Sequence, residues 1–404
     1  MKLLYLVDEY PFETNEHFPG LECDYLCRTF QEVLVVPTNY PGASRTVKYR
    51  LPSNASVSAT ALDELAEVSK SKGTLRTKCS AASLLSLGKE IPFWPKKFWK
   101  DVVSFWGQSV LIQSALVNNL KIENFDVVYS FWSGPAAFAI SRLKKHYPKT
   151  LFVARAHGYD LFSEATGRTK LPFQHSTISG LDYLFPCSKA GQNYLHRKFP
   201  RHGSKISAAY LGIDDPVAQS PASSDGVLRV VSCAAVLPVK RMPYLVDVLS
   251  LARRPMEWTH FGDGPEMADV RKKTTHLPQN IRADLRGNVP NADVLAHYRQ
   301  NPVDLLVNVS RSEGLPVSMM EAFAFGIPCL GTTVGGVPEI INSANGYLLS
   351  PTASAKDIAT VIERHPSSSP HMRRNARQTY LEKFRATANF EAFGRALHQL
   401  RRQI

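Results

Sequence analysis

Short apolar runs alternate with longer stretches of helical period along the whole chain. In the first half the runs are Leu3–Val7, Val33–Val36, Val127–Ser130, Leu151–Ala154, Tyr183–Pro186 and Ile206–Tyr210. In the second half they are Leu228–Cys233, Trp258–Phe261, Ala283–Arg286, Leu305–Val309, Pro328–Gly331 and Tyr347–Leu349. Runs this short and apolar fit strands buried on both faces, and their alternation with helices fits parallel sheets joined by crossovers. Two such series predict two doubly wound α/β domains. Residues 216–226, PVAQSPASSDG, have the composition of a linker. The predicted layout is one domain over 1–215, that linker, a second domain over 227–370, and a helical segment over 371–404 packing back towards the first domain.

Composition narrows the class. Of 404 residues, 44% are hydrophobic and 21% charged, which excludes a disordered chain, a collagen and a coiled coil. The formal charge of +13 favours anionic partners: nucleic acid, an anionic membrane or phosphorylated substrates. The six cysteines, at 23, 27, 79, 187, 233 and 329, form no Cys-x-x-Cys, so neither a zinc site nor a disulfide framework is expected. Cys23 and Cys27 suit plain packing on one helix face. No apolar run approaches the roughly 18 residues of a membrane helix. MKLLYLVDEYPF reads as a first buried strand rather than a signal peptide, and a cytoplasmic protein is expected.

Residues 308–346 carry the strongest signal, NVSRSEGLPVSMMEAFAFGIPCLGTTVGGVPEIINSANG. Glu313 and Glu321 have seven residues between them, a weak signal by itself. The setting strengthens it. A strand ends, a turn follows, Pro316 opens a helix, and Gly326 and Pro328 stop it. A helix N-terminus between two carboxylates suits a diphosphate, with Glu313 accepting hydroxyls of a sugar on one side and Glu321 those of a ribose on the other.

This segment resembles the glutamate-pair region of glycosyltransferase family 4, retaining enzymes of the GT-B fold. VSCAAVLPVKRM (231–242) is similar to the strand–loop whose basic residues clamp the diphosphate, here Lys240 and Arg241. HFGDGPEM (260–267) resembles the family's Gly-rich turn with Gly262 and Gly264, and LRGNVPNADVLAHY (285–298) the segment near the base, with Val289. Gly335 and Gly336 match a turn close to the donor. Ala234-Ala235 stand where many members have Gly-Arg, so one phosphate-binding arginine is absent. The resemblance implies two Rossmann-like domains facing a central cleft, a nucleotide-sugar donor held also by Gly314, Leu315 and Pro316, and no metal or other cofactor. Asp263 suits a turn-former, and Glu339 suits either a ligand contact or a helix cap.

In the first half, ARAHGYDLF (154–162) resembles a segment of bacterial polysaccharide transferases. His157 aligns with the family's interdomain histidine, Arg155 suits orientation of phosphates or of the acceptor, and Asp160 suits a bond to local backbone. Glu16, Phe18 and Glu22 partly match a Glu-Thr-Phe-x-x-x-Glu segment of sugar-polymer transferases, so Glu16 suits either a contact to donor or acceptor or a structural place at the helix start. IPFWPKKFWK (91–100) interleaves Trp94 and Trp99 with Lys96, Lys97 and Lys100. That pattern fits an anionic membrane surface or a solvated face, and no nucleic-acid motif accompanies it.

The implied activity is retaining transfer of a hexose from a nucleotide-diphosphate sugar, UDP ahead of GDP, to a saccharide or lipid-linked saccharide acceptor in surface polysaccharide synthesis. His157, Glu313 and Lys240 would carry it, on the cytoplasmic face of a membrane. A nucleotide-sugar epimerase of the same fold and a non-catalytic sugar-nucleotide-binding assembly protein are the alternatives.

Overall fold

A computed structural model describes residues 1–12, 17–39, 46–70, 81–168, 170–367 and 369–404. The chain forms two compact units, Met1–Ala209 with Phe390–Ile404, and Tyr210–Asn389.

The first unit is built on a six-stranded sheet of order β3-β2-β1-β4-β5-β6. Its strands are β1 (Lys2–Val7), β2 (Glu32–Pro37), β3 (Ala55–Val57), β4 (Val127–Ser130), β5 (Leu151–Ala156) and β6 (Tyr183–Pro186), all paired in parallel. Every residue of β4 and β5 is buried, because helices cover both faces of these central strands. The second unit repeats the plan in the order β12-β11-β10-β7-β8-β9. Here the strands are β7 (Leu228–Cys233), β8 (Met256–Phe261), β9 (Ile281–Leu285), β10 (Leu305–Asn308), β11 (Cys329–Thr332) and β12 (Gly346–Leu349), again parallel.

Three sequence expectations change. Ala55–Val57 adds an edge strand to the first sheet that its three-residue sequence was too short to signal. Ile206–Tyr210 is not a strand, but it runs beside β6: Leu184 and Ile206 form a bridge, and Ser207 N and Ala209 N donate to the Leu184 and Pro186 carbonyls. Residues 216–226 are not a free linker. Arg373 donates to the carbonyls of Ser220 and Pro221, Val303 N donates to the Pro221 carbonyl, and Ser223 N donates to Asp304 Oδ1 at 3.1 Å. The segment is thereby tied into the second unit, whose first residue is Tyr210. The helix Pro370–Lys383 belongs to that unit as well, and the chain rejoins the first unit from Phe390.

The first unit closes on a buried polar knot. Arg155 on β5 has no exposed surface; it donates from Nε to Tyr129 Oη (3.0 Å), from Nη2 to Glu22 Oε1 (3.2 Å) and from Nη1 to the Ala209 carbonyl (2.5 Å). Its guanidinium also lies 4.3 Å from the Phe393 ring centroid. This overturns the expectation that Arg155 orients a ligand: every donor nitrogen faces the protein interior.

Candidate functional site

In the second unit the loop after β10 carries Glu313, which is 6% exposed. Its Oε1 accepts from Asn308 Nδ2 at 2.9 Å, Ser310 Oγ at 2.7 Å and Lys240 Nζ at 2.6 Å, and its Oε2 accepts from Lys240 Nζ at 2.7 Å. Lys240 ends the short turn Pro238–Lys240 after β7 and stays partly exposed. The two residues expected to hold opposite parts of a donor therefore hold each other.

The loop is fixed from behind by the turn at Gly335. That glycine has φ +50°, and a Cβ there would stand 1.7 Å from the Glu313 carbonyl oxygen. Gly336 N donates to the Gly314 carbonyl at 2.8 Å, and Thr332 Oγ1 to the Ser310 carbonyl at 2.6 Å. Gly314, Leu315 and Pro316 are buried, and the helix Val317–Ala324 begins directly after them.

Glu321 lies within that helix, 3% exposed, and accepts from Asn291 Nδ2 at 2.7 Å. Burial pushes its carboxyl up to about 7, against the lowering influence of Asn291. Asn291 opens the next helix beyond half-buried Val289, and its Oδ1 has no partner. Burial, with Glu321 adding to it, pushes the Cys233 thiol at the end of β7 up to about 12.

The Gly-rich turn follows β8. A Cβ on Gly262, at φ +135°, would stand 2.0 Å from the Ala234 carbonyl oxygen, and one on Gly264 would stand 2.7 Å from that of Val236. The glycines let this turn lie against the 234–236 backbone, which leads into Lys240. Before the turn, His260 is fully buried and burial holds it down at about 4. Ser232 Oγ accepts from Trp258 Nε1 at 2.9 Å and lies 2.8 Å from His260 Nδ1, while Nε2 of the neutral ring has no partner.

Arg241 is committed elsewhere. It has left-handed backbone (φ 54°), donates from Nε to the Val309 carbonyl at 2.5 Å and from Nη1 to the Pro351 carbonyl at 3.0 Å, and lies over the Tyr244 ring. Its Nη2 is buried without a partner. It braces the loops that carry Lys240 and Glu313.

In the first unit His157 follows β5. Its backbone N donates to Asp160 Oδ1 at 2.6 Å, while Ser133 N donates to Asp160 Oδ2 at 2.6 Å. One carboxylate thus joins the loops after β4 and β5. The imidazole is 9% exposed, packed against Phe131 and Trp132 at centroid distances of 4.7 and 4.4 Å, and neither ring nitrogen has a hydrogen-bond partner.

The basic–aromatic stretch divides. Trp94 is 4% exposed, packed with Val102, Trp106 and Phe173, and its Nε1 donates to Glu90, so it cannot serve as a surface anchor. Trp99 is 39% and Phe93 74% exposed, and Lys96, Lys97 and Lys100 are exposed beside them. Glu16 lies outside the described residues. Among the described residues no group of three or more His, Cys, Asp or Glu could hold a metal ion, and no helix is long and apolar enough to cross a membrane.

Sequence reasoning missed Asn291, Asn308, Ser310 and His260. Asn308 and Ser310 stand five and three residues before Glu313, and only the loop's return brings them to its carboxylate. Nothing in the sequence pairs Asn291 with Glu321.

Residues 217–380 match the family described as glycosyl transferases group 1. The chain is 33% identical over 129 residues to the N-acetyl-alpha-D-glucosaminyl L-malate synthase of Bacillus anthracis, covering 31% of this chain and 32% of that relative. It is 24% identical over 269 residues to the putative colanic acid biosynthesis glycosyltransferase WcaL of Escherichia coli K12, covering 62% of this chain and 64% of that one. The chain thus spans less than two thirds of both. Among solved structures, HepE of Anabaena in complex with UDP and glucose superposes with TM-score 0.68 at 15% identity, over 99% of this chain and all of that one. Sucrose-phosphate synthase from Thermosynechococcus elongatus superposes with TM-score 0.71 at 14% identity over the full length of both. These likenesses show the GT-B fold.

Proposed function

We propose that the chain is a retaining glycosyltransferase of family 4. It moves a hexose from a nucleotide-diphosphate sugar, UDP ahead of GDP, to a saccharide, lipid-linked acceptor in surface polysaccharide synthesis. One observation carries the reading: the Lys240–Glu313 pair stands immediately before a helix N-terminus, inside the segment that matches the family. HepE of Anabaena was captured with UDP and glucose, which supports UDP as the nucleotide.

In this reading Lys240 and the free N–H groups at the start of Val317–Ala324 stabilise the leaving diphosphate. Glu313, held by Asn308 and Ser310, receives sugar hydroxyls, and Glu321 those of the ribose. His157, packed against Phe131 and Trp132, orients the far side of the sugar. The sugar–phosphate bond breaks with its electrons going to the diphosphate, and the acceptor oxygen bonds the anomeric carbon on the same face. A diphosphate oxygen takes the acceptor's proton. The protein contributes position and charge, so no metal is needed.

The test is thermal unfolding in EDTA with UDP, GDP and ADP, then with their sugars. A ligand at about 100 times its Kd stabilises the fold by about 2.7 kcal/mol. A shift with one nucleotide, lost in Lys240→Ala, supports the donor site. No shift with any nucleotide sinks it.

A further inference from the structure

In the first sheet β1 and β4 are neighbours, with β2 and β3 on one side of that pair and β5 and β6 on the other. The order in which successive strands are added reverses between them, and a crevice opens beyond the carboxyl ends of the strands at such a point. A cavity of about 420 Å³ occupies it. Asp8, just after β1, lines it together with Trp132, Tyr159, Gln108, Arg168 and Gln174.

The lining combines aromatic rings with unused hydrogen-bonding groups. Gln174 is 7% exposed; its Nε2 donates to the Leu161 carbonyl at 3.0 Å, but its Oε1 accepts nothing. Trp132 Nε1 is buried and donates to nothing. The Asp8 carboxylate has no partner among the described residues. A carboxylate acceptor beside aromatic ring faces matches the hydroxyls and C–H faces of a sugar ring.

Charge decides which sugar. Arg168 is bound to Asp101 at 2.6 Å, so the one cationic side chain of the lining is neutralised. Asp8 and Asp160 remain, and Asp160 is occupied by two backbone N–H groups. A carboxylate or phosphate on the ligand would meet uncompensated negative charge there.

We propose that this cavity receives a neutral glycosyl ring of the acceptor and that Asp8 excludes uronic-acid and phosphorylated sugars. The proposal deepens the transferase reading, on which the word acceptor rests. Asp8 accepts a hydrogen bond from a ring hydroxyl, and Tyr159, two-thirds exposed at the rim, stacks on the ring. Burial first, then Asp160 and Glu9, pushes the Asp8 carboxyl up to about 6. The Arg168–Asp101 pair faces the same space, and His157 lies beside Asp160. Exclusion is therefore full above pH 7 and relaxes near pH 5 as Asp8 becomes neutral.

The experiment is saturation-transfer NMR on the full chain without nucleotide, at pH 7.5 and pH 5. The probes are methyl glycosides of glucose, galactose, mannose and N-acetylglucosamine beside methyl glucuronide and galacturonide. At pH 7.5 a neutral glycoside should give transfer at least about fivefold above its uronide, the scale of one partly screened charge contact. Tyr159→Ala should remove it, and Asp8→Asn, of equal size, should close the gap. Uronides that bind as well as neutral rings, or transfer indifferent to both variants, overturn the proposal. Melting with nucleotides separates the two readings. Sugar binding sensitive to Tyr159 with no nucleotide shift sinks transfer and keeps the cavity; a nucleotide shift without such binding does the reverse.

Discussion

Lys240 Nζ stands 2.6 and 2.7 Å from the two carboxylate oxygens of Glu313. A diphosphate arriving at Lys240 competes with that carboxylate, while Asn308 and Ser310 keep Glu313 in place. Glu313→Gln should therefore retain nucleotide binding and lose transfer by about a hundredfold or more, the scale of one lost positioning contact. Equal loss of binding and turnover would show Glu313 to be a binding group only. Lys240→Ala should lose the nucleotide-dependent melting shift and cost about 1–2 kcal/mol of stability, since it leaves a buried carboxylate short of a cation.

Glu321 makes the second unit sensitive to pH. Its carboxyl sits at about 7 when folded and near the ordinary value of a glutamate when unfolded. The raised value means that the unfolded chain releases this proton first. The contribution is full below about pH 4.5 and is lost as pH rises through 7, on the order of 3 kcal/mol. Glu321→Gln should remove that slope. Chemical unfolding at pH 5 and pH 8 measures it; parallel wild-type and variant curves would contradict it. Asp8 moves stability in the same direction, so the comparison must be made against the variant.

Arg155 should behave as a structural residue. Arg155→Ala leaves Glu22 buried without its cation and should cost about 3–5 kcal/mol, measured by urea unfolding. The nucleotide melting shift should persist, because the bonds of Arg155 lie within the first unit. A variant that folds normally but binds nucleotide weakly would restore the ligand-orienting role.

Gly335→Ala tests the support behind Glu313. The added Cβ has no room beside the Glu313 carbonyl, and positive φ penalises any side chain. We expect a loss of stability greater than about 1 kcal/mol and a weaker nucleotide shift, since the loop must move. Gly226→Ala is the control: its φ is +79° but no atom lies within 4 Å of the added carbon, so only the conformational penalty should appear.

Attachment to a membrane, if it occurs through the exposed part of 91–100, follows from lysine charge and ring insertion. Replacing Lys96, Lys97 and Lys100 by alanine should release the chain from anionic vesicles, at about 1 kcal/mol per lysine near the surface. Trp99→Ala should add to the loss and Trp94→Phe should not, because Trp94 is interior. Cosedimentation with neutral vesicles at equal strength would point away from an electrostatic surface.

Local pattern determined much of this protein. The runs Val127–Ser130, Tyr183–Pro186 and Leu228–Cys233 appear as strands with those limits, because a parallel strand covered on both faces must be apolar throughout. The glutamate pair and its helix were legible for a related reason: loop, proline and helix start are neighbours in sequence. The edge strand Ala55–Val57 was not, since it needs no apolar run to hydrogen-bond one neighbour. Only the tertiary structure decided what each charge does. Arg155 and His157 are two residues apart, yet alternation along β5 turns the arginine inward to Glu22, while the histidine lies past the strand's end with its nitrogens unpartnered. Arg241 follows Lys240 directly, and a left-handed turn sends one to backbone carbonyls and the other to Glu313. Composition supplies the charges; the partners that fix their roles come from strands distant in sequence and adjacent in the sheet.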